Sequence, residues 1–153
     1  MAESSGIFSY ENRTIHPQNP FPFDLKPVLL GLETDGTTVK KYDMAEHCKN
    51  NYFVLFFFPM DFRCDSSEVL AFSDRFKEFE ANHIRVLGVT HDSPFVLRHW
   101  VGKPAAKGGF GRPVGFPLLS DKDCVLAQAL GMAQASGMPA RATFVVDWNG
   151  NIR

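Results

Sequence analysis

The sequence predicts an α/β fold, a central mixed sheet flanked by helices. Three observations carry this reading. Two apolar runs, Tyr52 to Phe58 and Ile84 to Thr90, do not alternate with polar residues, which suits strands covered on both faces. Between such runs lie stretches with apolar residues every three or four positions, the stripe of an amphipathic helix. Strand-like and helix-like segments then alternate as β-α-β-α-β-α-β, the order that builds layered α/β domains. At 153 residues the chain is expected to be one domain with a substantial core.

The elements follow in order. Residues 1–20 are polar and proline-punctuated and read as an extended arm, with the folded domain spanning 21–153. Val28 to Leu32, the turn at Asp35-Gly36 and Thr37 to Lys41 form a small hairpin. A short helix at Asp43–Lys49 leads into the central strand, which must stop at Pro59 because proline has no N–H for the ladder. Asp65-Ser66-Ser67-Glu68 reads as a capping box opening a helix whose apolar stripe is Val69, Phe72, Phe76 and Phe79. After the second buried strand, Ser93-Pro94 starts a helix running to about Gly102, with serine as N-cap and proline in the first turn. Lys103 to Phe116 holds four glycines and two prolines and is read as a loop. Pro117 to Ser120 is a short strand, Asp121 to Leu130 a helix closed by Gly131, and Ala142 to Asp147 a third core strand. Asn149-Gly150 signals a hairpin turn.

Composition narrows the function classes. A formal net charge of −1 and a pI near 6.5 give no reason to expect nucleic acid or an anionic membrane surface as partner. Met1 to Tyr10 has no apolar signal core, and no apolar run approaches transmembrane length. The three cysteines, Cys48, Cys64 and Cys124, form no CxxC pair and leave an odd thiol in any disulfide scheme, so a reduced, cytoplasmic setting is expected. The fifteen phenylalanines fall mostly in strand-like or periodic segments and are read as core rather than a base-stacking surface.

Cys64 is the leading chemical candidate. It sits just before the cap of the helix that follows the central strand, where the helix dipole and neighbouring Arg63 favour thiolate and Asp65 opposes it. From the residues alone a small buried thiol packed under the helix is an equal reading. His91, just after the second strand, could face a pocket, but a strand-end histidine at a sheet rim is usually solvated. Asp92 and Asp121 are read as helix caps, and no His/Cys/Asp cluster has metal-ligand spacing, so no metal or other cofactor is expected. Gly108-Gly109-Phe110-Gly111 looks like a phosphate loop only superficially, because no strand runs directly into it. Trp100 is assigned to the core or to an oligomer surface.

Six segments, in order, resemble one family: YFVLFFFPMDF, EVLAFSDRFKEFE, VLGVTHDSPFVLRHW, GGFG, FPLLSDKD and RATFVVDWNGNIR. Together they resemble the peroxiredoxins, thiol peroxidases on an elaborated thioredoxin-like fold, closest to the typical two-cysteine branch and over roughly residues 20–153. The resemblance implies Cys64 as nucleophile, Pro59 shielding it, Ser66 and Glu68 supporting it, and Arg141 polarising thiolate and peroxide. A guanidinium suits that task because it is permanently charged and presents several donors in a fixed fork. It also implies a peroxide substrate, a thioredoxin-like or small-thiol reductant, and a homodimer or larger homo-oligomer built edge to edge or through the loop faces.

Two departures from the family pattern stand in the sequence. The signature (proline, three residues, threonine or serine, two residues, cysteine) runs from Pro59 to Arg63 and Ser66, so Cys64 comes two residues early; counted back from Glu68, the cysteine position holds Asp65. The sequence also stops at Arg153, before the family's returning strand, helix and tail with its resolving cysteine, which is expected to leave an exposed sheet edge. Cys124 is then the candidate resolving thiol, with Cys48 behind it, against a buried structural role for each. The alternative function is a catalytically silent relative with a chaperone or protein-interaction role.

Overall fold

The computed structural model describes residues 15–58, 67–136 and 138–153. Among these, six strands form one mixed sheet in the order β2-β1-β5-β4-β3-β6. The strands are β1 (Val28–Leu32), β2 (Val39–Asp43), β3 (Tyr52–Phe57), β4 (Ile84–Thr90), β5 (Leu118–Ser120) and β6 (Ala142–Val146). The helices are α1 (Met44–Cys48), α2 (Ser67–Asp74), α3 (Phe76–Ala81), α4 (Pro94–Gly102) and α5 (Val125–Ala129). Strands β3, β4 and β5 run parallel at the centre, while β1, β2 and β6 are antiparallel to their neighbours.

The unalternating run of β3 is buried because successive side chains enter different cores. Phe53, Leu55 and Phe57 join Leu87, Val89 and Leu119 on one face, under α1 and α5. Phe56 and Phe58 join Val86 and Leu118 on the other, under α2 and α4, where Trp100 and Val69 complete the layer. Trp100 is only 1% exposed, so it belongs to the core and not to a surface. Phe56 stacks on Phe72 with ring centroids 4.3 Å apart, which fastens α2 to the sheet.

Several element boundaries differ from the sequence reading. The stripe Val69, Phe72, Phe76 and Phe79 lies on two helices rather than one, with Arg75 between them at φ −101 and ψ 8. The junction is tied by Ser73 Oγ, which accepts from Gly115 N at 3.2 Å, and α3 restarts with Arg75 bound to Glu78. The helix expected from Asp121 begins only at Val125, because Cys124 stands in the left-handed region at φ 54. Asp121 instead spans the turn, accepting from Leu126 N at 3.2 Å and Ala127 N at 2.8 Å. It is thus a cap in function, as expected. Ser93 rather than Asp92 caps α4, accepting from Val96 N at 3.4 Å. The second hairpin strand starts two residues later than read and continues to Asp43, whose carboxylate then caps α1.

The described part of the N-terminal arm is fixed to the end of the chain. Gln18 N donates to Ile152 O at 2.6 Å, Ile152 N donates to Asn19 O at 2.9 Å, and Pro20 bridges Asn151. The Asn149-Gly150 turn forms, with Gly150 at φ 81 and its N–H donating to Asp147 O at 2.9 Å. Beyond it Ile152 meets β6 only as an isolated bridge to Val146, so β6 is the sheet edge among the described residues. No described helix is long and apolar enough to cross a membrane.

Candidate active site

Parallel strands release their connections at one end of the sheet, where α/β folds gather their chemistry. Here β3 ends at Phe57, and Phe58 N still donates to Val89 O at 2.9 Å, so the chain leaves for residue 59 from a position locked against β4. Pro59, Cys64 and Ser66, together with the Asp65 half of the capping box, lie outside the described residues. What the structure defines is the frame on either side of them.

Glu68 stands in the first turn of α2, where a carboxylate is favoured by the helix dipole. Arg141 precedes β6, whose first residue Ala142 is paired with Phe57. That antiparallel register carries Arg141 to the rim where β3 ends. Its Nη2 lies 3.3 Å from Glu68 Oε2, with the two side chains 55% and 29% exposed. A pair this exposed adds no more than about 1 kcal/mol to stability. Its value is positional: the carboxylate orients one side of a planar cation. The sequence reading named both residues but not their contact. The signal was the β3–β6 pairing, which no local pattern in either segment states.

The ends of β4 and β5 add a second group to the same rim. Thr90 is fully buried, and Asp121 N donates to Thr90 O at 2.8 Å. His91 is partly buried rather than fully solvated, which favours the inward-facing of its two sequence readings. Its Nδ1 lies 3.3 Å from Cys124 Sγ and 3.4 Å from Asp121 O. One imidazole tautomer donates to that carbonyl, and the other accepts the thiol proton. Burial pushes the Cys124 thiol upward, and the carboxylates of Asp121 and Asp123 push it further in the same direction. Burial also raises Asp121, against the helix N–H groups that stabilise its charge. Cys124 is therefore held as a thiol, a donor before it is a nucleophile.

Cys48 is a different case. It is 1% exposed inside the core, and burial pushes its thiol up to about 12 against the pull of Arg85. It is chemically silent near neutral pH and fits the structural role. The glycine loop is also structural: a Cβ on Gly109 would meet Lys103 O at 2.1 Å, and Phe110 N and Gly111 N bond back to Trp100 O and Lys103 O. No cluster of three metal-ligating side chains occurs among the described residues.

The chain resembles known proteins in both sequence and fold. Residues 20–153 match the AhpC/TSA family. Peroxiredoxin-2 of Bos taurus is 41% identical over 108 residues, which cover 69% of this chain and 53% of the relative. Peroxiredoxin 2 of Drosophila melanogaster is 33% identical over 130 residues, covering 83% of this chain and 66% of the relative. The chain thus spans between about half and two thirds of the length of these relatives. Among solved structures, Mycobacterium bovis AhpC superposes with a TM-score of 0.77 at 29% identity, covering 92% of this chain and 80% of that one. The reduced 2-Cys peroxiredoxin of Plasmodium vivax, at 24% identity, gives 0.76 over 82% of this chain and 65% of its own and speaks to the fold alone. The family match, these relatives and the shared fold agree: the chain belongs to the AhpC/TSA family, the peroxiredoxins.

Proposed function

We propose that the protein is a thiol-dependent peroxidase acting on hydrogen peroxide or organic hydroperoxides. The observation that carries this reading is the ion pair of Arg141 with Glu68 at the rim where β3 ends and α2 begins. In the proposed cycle the Cys64 thiolate attacks one peroxide oxygen and the O–O bond breaks. The second oxygen leaves as water or alcohol after taking a proton, and Cys64 becomes a sulfenic acid. Arg141 stabilises the charge that develops across the two oxygens. Pro59 shields the thiolate, and Ser66 and Glu68 support it. An external thiol then condenses with the sulfenic acid, releasing water, and a second thiol equivalent frees Cys64. A thioredoxin-like protein or a small thiol supplies both. Cys124, a protonated thiol beside His91, is the candidate for internal resolution in place of the first external thiol.

The proposed setting is cytoplasmic, without nucleic-acid or membrane partners. The proposed domain is 21–153 with residues 1–20 as an arm. Self-association as a homodimer or larger homo-oligomer is supported by the exposed apolar side chains of Tyr52, Val145 and Trp148 around β6. Phe95, 69% exposed, offers a second apolar surface beside Val28, Leu30 and Val125.

The test is substoichiometric hydrogen peroxide followed by a sulfenate-trapping reagent and mass spectrometry. Modification at Cys64 far ahead of Cys48 and Cys124 is expected, together with loss of peroxide consumption in Cys64→Ser. Equal labelling of the three thiols, or none, would overturn the peroxidase in favour of a catalytically silent relative.

A further inference from the structure

The opposite end of the sheet carries a site that the peroxidase reading does not use. A groove of about 420 Å³ opens there between α1, α3, the start of β4 and the segment leading into β5. Its floor is apolar, with the rings of Phe76 and Phe116 at 6.1 Å between centroids. Its rim carries His47, His83 and Arg85, with Glu80 as the single carboxylate of the lining. An aromatic floor with a few convergent polar groups is the usual make-up of a small-molecule site.

Three features give this rim an anionic preference. Arg85 faces an imidazole instead of a carboxylate: its Nη1 lies 3.5 Å from His47 Nδ1, and no acidic group is within ion-pairing distance among the described residues. The acid nearest in sequence, Glu80, lies on α3 and makes no ion pair with His83 or Arg85 among them either. His83 follows the C-cap of α3 at φ 55, a conformation ordinarily left to glycine or asparagine, so a bulky imidazole is kept at the rim against a backbone cost.

We propose that this groove binds a small organic oxyanion, its carboxylate or phosphate head held by Arg85 with His47 and His83, and its apolar body laid on Phe76 and Phe116. His47 supplies a built-in pH dependence. Burial lowers its affinity for a proton, and Arg85 of β4 and Lys40 of β2 lower it further. Glu33, at the end of β1, acts the other way, Tyr42 places its ring edge-on at 5.2 Å, and Glu80 and His83 face it across the groove. A bound oxyanion restores the negative charge that His47 lacks, so binding takes up a proton and tightens as pH falls.

The experiment titrates the intact chain with phenyl phosphate, benzoate, inorganic phosphate and neutral benzyl alcohol, by calorimetry and by the NMR signals of the two imidazoles. Phenyl phosphate and benzoate are expected to saturate with shifts at both imidazoles, more tightly at pH 6 than at pH 8, and inorganic phosphate to bind more weakly. Arg85→Gln is expected to weaken binding by ~10-fold or more, the scale of one charge-assisted hydrogen bond. Glu80→Gln is expected to tighten it by ~2-fold, the scale of one exposed repulsion. Both residues lie on the surface, so neither change threatens the fold. Binding that ignores Arg85→Gln, benzyl alcohol as tight as benzoate, inorganic phosphate as tight as phenyl phosphate, or no saturable response to either aromatic anion would overturn the proposal.

Discussion

The two rims of the sheet hold similar side chains in opposite electrical states. At the rim where β3, β4 and β5 end, the cation Arg141 is matched by Glu68, and the thiol of Cys124 sits among the carboxylates of Asp121 and Asp123. At the rim where those strands begin, the cation Arg85 faces His47, and the buried thiol of Cys48 feels the pull of Arg85. One end pairs its arginine with a carboxylate, and at the other Arg85 makes no ion pair among the described residues. The lesson is that the same residue type takes its role from its neighbours: a paired arginine is a positioned tool, while an unmatched one invites a ligand.

The largest expected effect concerns the paired end. Arg141→Gln should lower kcat/KM for hydrogen peroxide on the order of 10²- to 10³-fold, the scale of losing one donor to developing negative charge. Peroxide consumption with a saturating thiol reductant measures it, and a loss under about 3-fold would remove Arg141 from the chemistry. Next comes the thiol at the other end. The folded Cys48 thiol is raised to about 12 from an ordinary value of 9.0, so its contribution to stability is complete below pH 9 and is lost as pH rises toward the folded value. The unfolded chain ionises first, and stability should fall by ~1.4 kcal/mol per pH unit in that window. Urea unfolding at pH 8 and pH 10 should show this slope in the parent chain and its absence in Cys48→Ala. An equal slope in both would place the titration elsewhere, Tyr42 being the next raised group.

Smaller effects refine the comparison. Ser93→Ala removes the side-chain cap of α4 just beyond the His91 rim and should cost ~1 kcal/mol by urea unfolding. Glu68→Gln should change stability by less than ~1 kcal/mol, as suits a half-exposed pair. The same variant should still slow peroxide turnover, because Arg141 then loses the carboxylate charge that orients it. A variant with unchanged turnover would make the pair ornamental to catalysis.

Much of this was legible residue by residue. Apolar runs marked β3 and β4 because a strand buried on both faces has no polar alternation, and Ser93-Pro94 marked the start of α4 because capping chemistry is local. The Phe stripe reads as one helix because its period runs unbroken through Arg75; at the break Ser73 bonds to distant Gly115, a contact that periodicity cannot register. The start of α5 was missed for a related reason. Asp121 satisfies helix N–H groups from several residues away, and Cys124 adopts a backbone conformation that its side chain does not advertise.

By itself, then, the chain's sequence determined the layered α/β architecture, the order of its elements and the family, since these rest on periodicity, caps and runs of neighbouring residues. Only the tertiary structure decided which distant residues meet. The β3–β6 register set Arg141 against Glu68, adjacent parallel strands set His91 against Cys124, and the packing of α1 beside β4 set His47 against Arg85. Each of these contacts joins segments far apart in the chain, and a contact of that kind is a property of the folded layers rather than of any local stretch.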